Sequence, residues 1–534
     1  MSKEAKKRVA IIGAGASGLA SARQALQYGW ESIVFEKTSH IGGIWHYDED
    51  PKAHSIWRSL STQQSKAFCA FSDFPLMEDA PPRDASHQFL HHTQVDAYLA
   101  AYARHFDVRV RLRAKVHDVR RADDWAQSAK WLVSYAWRKD DEADVEHLVE
   151  EFDAVLICTG FYSLPYRPPE LRLESQFRGR ISHSAQYRRA AYLDAATVVV
   201  AGFGNSAITI ASELATVYIA SRRGAWLLSK LPDGRPWDIT VNSQFYALAR
   251  RGVPRAVRNF FWRRSARQIL DHDKAGIRPQ QSFLSTHLTF ADTLPYQLAQ
   301  GRVKIVPRLL SFTNDGRGVE FEDNTVVEHV DEVIFCTGFT FDLPFLEDGK
   351  LVHTLYNDFH LYKQMFAPQL AAHNNLALIG YLQPTGPMFP IVELQARLFF
   401  AIQAGHVDLP TPAKMKAKLE RKRCNLSLNY VKTQRYTQIE DYVDYMNDLA
   451  RLVGCAPNFC AMLLRGEFRL AAVCFFGPAT AHQYRIEGPH AWPAARAEVL
   501  AHYSLFPKTS WLDNTIIITL CALIILWHIY DLLY

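Results

Sequence analysis

Val9-Ala10-Ile11-Ile12-Gly13-Ala14-Gly15-Ala16-Ser17-Gly18-Leu19-Ala20 reads as a short β-branched strand, a G-x-G-x-x-G turn and the opening of a small-residue helix. In such a unit the first glycine makes the tight turn, the second lets backbone N–H groups approach a pyrophosphate, and the third lets helix pack on strand. The spacing alone also fits an ordinary glycine-rich turn. What sharpens it is Ile33-Val34-Phe35-Glu36, a second strand ending in a carboxylate about 20 residues on, where it can accept hydrogen bonds from a ribose. Ile41-Gly42-Gly43-Ile44-Trp45 follows closely, and its paired glycines would let backbone approach a diphosphate.

Thr197-Val198-Val199-Val200-Ala201-Gly202-Phe203-Gly204-Asn205-Ser206-Ala207 repeats the pattern, with alanine at the third small position. The strand after it, Val217-Tyr218-Ile219-Ala220-Ser221-Arg222-Arg223, ends in two arginines where the first copy ended in glutamate. A carboxylate repels a ribose 2′-phosphate and a guanidinium binds it through charge-assisted bonds, so the first site is expected to take an unphosphorylated ribose and the second NADPH. Two sites of different ribose chemistry imply a bound redox cofactor fed by a diffusible one, and flavin with NADPH is the economical pair. Two more apolar strands run into Cys158-Thr159-Gly160 and Cys336-Thr337-Gly338, as expected where a chain crosses between nucleotide domains. Both cysteines are expected to pack and not to react. The fold class that follows is α/β, with two Rossmann-like dinucleotide-binding domains.

The rest of the chain narrows the function further. With 48% hydrophobic and 22% charged residues over 534 positions, disorder over most of the length is excluded, and a net charge of +5 gives no reason to expect nucleic acid. Eight cysteines include no C-x-x-C pair, which argues against a disulfide reductase, and no metal-ligand cluster shows. From Arg250 to Arg267 there are seven arginines and no acid, with Val253, Ala256, Val257, Phe260 and Phe261 at helical spacing. This reads as a basic helix lying on anionic lipid, within an insert over 225–290 that also borders the substrate route. Residues 411–424 read as an exposed helix face, and Asp140-Asp141-Glu142-Ala143-Asp144 as a solvated hairpin loop. Trp511 to Tyr534 holds an apolar run bracketed by aromatic residues and reads as a membrane anchor. The charged start of the chain leads straight into a strand without an apolar signal region, so the anchor would hold the catalytic domains on the cytosolic face of the endoplasmic reticulum.

On these residues the sequence resembles the animal flavin-containing monooxygenases of the membrane-bound, microsomal type. Between the two loops, Phe177-Arg178-Gly179-Arg180-Ile181-Ser182-His183-Ser184-Ala185-Gln186-Tyr187 matches that family's F-x-G-x-x-x-H-x-x-x-Y/F motif, and its tyrosine is unlike the ending of the related Baeyer–Villiger enzymes. The similarity extends through Phe71-Ser72-Asp73-Phe74-Pro75 and Gly380-Tyr381-Leu382-Gln383-Pro384-Thr385-Gly386-Pro387 and covers essentially the whole chain. It implies an FAD domain from 1–165 and 326–442, an NADPH domain over 166–325 that carries the 225–290 insert, a C-terminal extension over 443–510 and the anchor over 511–534. It also implies chemistry of the N,N-dimethylaniline monooxygenase type, as used in xenobiotic metabolism. NADPH reduces FAD, O2 adds at flavin C4a to give a hydroperoxide, and a soft nitrogen or sulfur nucleophile of a lipophilic amine or sulfide takes the distal oxygen. Baeyer–Villiger oxygenation of ketones and a partly uncoupled NADPH oxidase producing hydrogen peroxide are the alternatives. Since the oxidant forms before the substrate arrives, the protein has to shield it from water and acid. His183 is therefore expected to orient a hinge or the cofactor, not to act as a general base.

Carried over by position, FAD would contact Gly13, Ala14, Gly15, Ala16, Ser17, Gly18, Glu36, Gly42, Gly43, Ile44, Trp45, Thr62, Gln63 and Gln64. NADPH would contact Gly202, Gly204, Asn205, Ser206, Ala207, Arg222 and Arg223. Two departures stand out. Thr209 occupies a position where the family often has aspartate. At Ser61-Thr62-Gln63-Gln64-Ser65-Lys66 the family usually reads Asn-Ser before Ser-Lys, its asparagine touching both flavin and nicotinamide. Gln63 carries the same amide on one more methylene. It is the candidate catalytic residue and is expected to shorten the life of the peroxide, so that part of the NADPH consumed appears as hydrogen peroxide.

Overall fold

The computed structural model of the protein describes residues 6–76, 88–139, 144–169, 171–286, 288–352, 354, 357, 359–431 and 437–502. The opening apolar run forms strand β1 (Arg8–Ile12), with Val9, Ala10 and Ile11 fully buried, and helix α1 (Ala16–Gln27) carries the chain to β2 (Glu31–Phe35). Strands this continuously apolar are those of a parallel sheet covered on both faces. The remaining strands of interest are β3 (Val110–Arg111), β4 (Ala154–Ile157), β5 (Arg180–His183), β6 (Thr197–Ala201), β7 (Thr216–Ala220), β8 (Val303–Val306), β9 (Glu332–Phe335) and β10 (Leu376–Leu378). They make two five-stranded sheets of wholly parallel pairs, ordered β10-β4-β1-β2-β3 and β8-β7-β6-β9-β5. Every strand of the second sheet lies between β4 and β10 in sequence. The chain thus leaves the first sheet once, builds the second and returns, and where it crosses, Leu164–Pro165 pairs antiparallel with Phe339–Thr340.

Cys158 and Cys336 follow β4 and β9 directly, and burial pushes both thiols up to about 12, so they pack as expected. Trp131–Trp137 and Glu146–Phe152 pair antiparallel around the acidic loop, whose residues 140–143 lie outside the described residues.

Helix α2 (Asn205–Glu213) follows the second glycine loop, and the insert contributes α3 (Trp237–Val241), α4 (Gln244–Gly252) and α5 (Arg255–Ile269). The expected apolar stripe needs a correction. Val253 lies between α4 and α5, because Pro254 opens the second helix and disfavours helical backbone in the residue before it. Helix α5 buries Ala266 and packs Trp262 and Ile269 against Trp226, Trp237 and Phe283, leaving Val257, Phe260 and Phe261 exposed at 42%, 63% and 61%. The basic run is also not uniformly turned outward. Arg250 pairs with Asp441 and Asp444, Arg251 pairs with Asp444, and Arg255 donates to Leu284 O and Ser285 Oγ at 3.1 and 3.0 Å.

Residues Phe389 to Ala401 of helix α6 (Phe389–Gln403) are all buried, and it packs on α1. Helix α7 (Pro412–Asn429) buries Met415 and exposes most of its lysines and arginines, as expected of 411–424. Helix α8 (Tyr442–Val453) begins the C-terminal extension, which is docked by a buried arginine. Arg485 donates to Ser72 Oγ at 2.6 Å and His490 O at 2.8 Å, and pairs with Glu393 at 3.1 Å and Asp73 at 3.5 Å. Among the described residues no helix is long and apolar enough to cross a membrane. The expected anchor at 511–534 lies outside the described residues.

Candidate active site

The first glycine loop is built from close backbone contacts. Gly13 sits at φ +107°, where a Cβ would come within 2.6 Å of the Cys158 carbonyl oxygen, and a Cβ on Gly18 would overlap the Gly13 carbonyl oxygen. Gly42 N–H donates to Ala14 O at 3.0 Å, which docks the Gly43–Trp45 turn on the loop with Ile44 and Trp45 half-buried. There a Cβ on Gly43 would stand 3.0 Å from Gly15 Cα. Helix α1 starts at this point with Gly15 as its N-cap, no capping side chain and no acid in its first turn. Its first N–H groups and the positive end of its dipole are therefore available to a diphosphate. Glu36 is buried and takes three bonds, from Ala14 N–H, Thr38 N–H and Thr38 Oγ1, each at 2.9 Å. A carboxylate has about four acceptor directions, so capacity remains for a ribose hydroxyl. Gly13 to Ser17, Gly18, Glu36 and Gly42 to Trp45 are thus brought together, and the bare backbone between them fits a dinucleotide.

The second loop repeats the construction. A Cβ on Gly202 would meet the Cys336 carbonyl oxygen at 2.5 Å, as Gly13 meets Cys158, and Gly204 caps α2 without side-chain help or an acid in the first turn. Ala207 is buried beneath the helix. The Asn205 amide accepts from Phe290 N–H at 2.9 Å and donates to Leu288 O at 3.5 Å, tying the helix start to the insert. Thr209 turns its hydroxyl back to Asn205 O at 2.9 Å, so the position that often bears a charge in the family serves the helix here. Ser206 lies in the first turn of α2, and Arg222 and Arg223 are exposed just past β7. Partial desolvation, then the charges of Arg223 and Arg308, lowers the pKa of Arg222.

The 61–66 loop is clamped from two sides. Thr62 N–H donates to Leu90 O at 2.8 Å, Lys66 N–H donates to Gln88 O at 2.8 Å, and the Ser65 N–H donates at 2.6 Å to Asp238 of α3. Among the described residues, Gln63 Oε1, Asp238 Oδ1 and Asn242 Nδ2 are buried without a hydrogen-bond partner. Buried polar atoms are nearly always bonded, so this set fits a polar group supplied from outside the chain. Asp238 was not anticipated; nothing in its sequence neighbourhood, Pro236-Trp237-Asp238-Ile239, marks it as a site residue.

Burial pushes the Asp238 carboxyl up to about 6, against bonds to Ser65 that lower it. A carboxyl whose folded pKa is raised contributes stability that is complete below the unfolded value near 4 and is lost as pH rises through about 6. Asp238→Asn removes that loss. Relative to wild type, its stability to urea should rise by roughly 2 kcal/mol between about pH 4.5 and about pH 7.5. Parallel pH profiles for the two proteins would refute this assignment.

The 177–187 motif is a junction. The His183 Nδ1 accepts from Ala185 N–H at 3.1 Å, its ring meets Phe339 edge-on at 5.1 Å, and burial pushes its pKa down to about 4. It is neutral at physiological pH, next to the crossing strand. Tyr187 donates to Glu213 at 2.8 Å. Arg188, buried and absent from every sequence expectation, donates to the carbonyls of Asp50, Ala53, Ala185 and Tyr187 at 2.7 to 3.0 Å. It fastens the segment after the first loop to the second sheet.

A family model described as flavin-binding monooxygenase-like matches residues 6–514. The chain belongs to the flavin-binding monooxygenase family. This monooxygenase is 36% identical over 509 residues to dimethylaniline monooxygenase (N-oxide-forming) 2 of Rattus norvegicus, over 92% of this chain and 91% of that protein. It is 34% identical to flavin-containing monooxygenase 5 of Homo sapiens, over 93% and 91% respectively. These relatives bear out the resemblance read from the motifs. Among solved structures, the S-allyl-L-cysteine S-oxygenase of Allium sativum matches with TM-score 0.61 and 24% identity, over 94% of this chain and 99% of that one. A Rhodococcus cyclohexanone monooxygenase crystallised with NADP+ matches with TM-score 0.58 and 16% identity, over 84% and 98%. At these identities the two structures bear on the fold alone, and the fold is that of flavin monooxygenases.

Proposed function

We propose that the chain is an FAD- and NADPH-dependent monooxygenase that oxygenates soft nitrogen or sulfur centres of lipophilic small molecules. Residues 1–165 and 326–442 hold FAD, 166–325 hold NADPH, and 443–510 brace them. The observation that carries this reading is one loop construction used twice with opposite ribose chemistry, Glu36 after the first copy and Arg222-Arg223 after the second. Bound flavin, reduced by NADPH, supplies the activation of O2 and the oxygen transfer. The N-terminus of α1 binds the FAD diphosphate and Glu36 its ribose, while the N-terminus of α2 and the paired arginines do the same for NADPH. The Gln63 amide, set by the Ser65–Asp238 bond, faces the reacting groups, and the neutral His183 keeps an acidic proton away from the crossing between the sheets. Val257, Phe260 and Phe261 suit contact with lipid, and the 511–534 tail would anchor the enzyme in the endoplasmic reticulum membrane.

Turnover of one sulfide and one ketone under labelled O2 tests the reading. Labelled sulfoxide supports it, whereas labelled ester alone would make the enzyme a Baeyer–Villiger oxygenase. The Gln63 departure gives a second expectation. With wild type, part of the NADPH oxidised is recovered as hydrogen peroxide, and Gln63→Asn lowers that fraction by about fivefold or more, since one methylene moves the amide by more than a hydrogen bond tolerates. A wild type already coupled one-to-one to product would sink that expectation.

A further inference from the structure

Strands β6, β7 and β8 lie side by side, and their C-terminal ends carry in turn the Gly202–Ala207 loop, Arg222-Arg223 and Pro307-Arg308. Ala220 pairs with Val306 in the β7–β8 ladder, and Ser221 N–H donates to Val306 O at 2.9 Å. The pairing therefore continues beyond the strand ends, and Arg222 and Arg308 stand in equivalent positions, each two residues past that pair. They are close enough for the charge of Arg308 to act on Arg222. Arg222, Arg223 and Arg308 are all exposed, and among the described residues none of them is in an ion pair.

Three guanidiniums gathered without a counter-charge repel one another, and a multiply charged anion relieves that repulsion. In an open parallel sheet the ligand lies outside the carboxyl ends of the strands. A pyrophosphate over the β6 loop puts the adenosine ribose one strand further on, at the end of β7, and β8 then borders its far side. We propose that Arg308 is a third cation of the 2′-phosphate site and that selection of NADPH over NADH in this chain depends on it. The proposal rests on the reading of Arg222 and Arg223 as that site. The sequence could not supply Arg308, because nothing in it says that β8, some 80 residues on, would lie beside β7.

The test is equilibrium binding of adenosine 2′,5′-bisphosphate and of 5′-AMP, which differ only in the 2′-phosphate, to the full-length flavin-loaded protein. Wild type should prefer the bisphosphate. Arg308→Gln should weaken the bisphosphate by about tenfold, the size of one lost charge-assisted contact, and leave 5′-AMP unchanged. Arg308→Lys should recover much of the loss, and the salt dependence of bisphosphate binding should become shallower in Arg308→Gln. An equal loss for both ligands would make Arg308 an adenine contact and overturn the proposal, as would no loss for either. A wild type that does not distinguish the two ligands would overturn the Arg222-Arg223 reading itself, a failure visible before any variant is made.

Discussion

Gly18→Ala should purify almost colourless, its flavin content lower than wild type by about tenfold or more. The added Cβ overlaps the Gly13 carbonyl oxygen and comes within 3.0 Å of its carbon and 3.5 Å of Ile11 Cγ2. The first two are backbone atoms directly after β1, held by the Gly13 N–H bond to Phe35 O at 2.8 Å, so no side chain can rotate out of the way. Helix α1 has to lift off the sheet, which costs about 1–3 kcal/mol or more as overpacking. Lifting also carries away the first-turn N–H groups on which the diphosphate reading depends. Gly15→Ala is the informative companion. Its Cβ would stand 3.6 Å from Gly43 Cα, an ordinary contact, so it should leave the apoprotein's stability near wild type and still weaken flavin binding. Visible flavin absorbance relative to protein, with urea midpoints of the stripped proteins, separates the two effects. Full flavin content in Gly18→Ala would show that the helix can move without harm.

Arg485→Met should lower stability by about 3–5 kcal/mol, the penalty of leaving buried charge unpaired. The Arg485 side chain is wholly buried, as are nearly all of Glu393 and Asp73. Its loss leaves Glu393 with only the neutral Ser72 while Asp73 keeps its pair with Arg23, so the uncompensated charge falls mainly on Glu393. Arg485→Lys should rescue little, because one ammonium cannot reach Ser72 Oγ, Glu393 and His490 O together. Neutralising the acids as well, with Glu393→Gln and Asp73→Asn, should recover part of the loss if uncompensated charge is its source. Limited proteolysis should cut the variant first in the 443–502 extension. An unchanged urea midpoint would mean that the network contributes nothing to stability.

The features legible from the residues alone are those in which chemistry and position are neighbours in sequence. Both glycine loops, the acid after β2, the arginines after β7 and the packing of Cys158 and Cys336 follow from local patterns. What sequence reading missed depends on which distant segments fold together. Ser65 meets Asp238 across 173 positions, Arg485 meets Ser72 across 413, and Arg188 reaches back to Asp50 across 138. The stripe assigned to Val253 failed for a local reason: apolar spacing carried on across Pro254, where the backbone did not. The segment was read as a basic helix on lipid because Asp441 and Asp444, which hold two of its arginines, lie some 190 positions on.

The single departure and return of the chain between the two sheets has a consequence for its birth. A ribosome delivers β1 to β4 first, yet β4 lacks its outer neighbour until Leu376–Leu378 emerges. Throughout that interval the nascent first unit presents an open strand edge, the kind of surface that invites pairing with other chains. The second sheet, with all its strands supplied by Phe335, can close in the meantime. Order of completion is therefore the reverse of order of synthesis, and the cell must guard the older half while it waits for the younger.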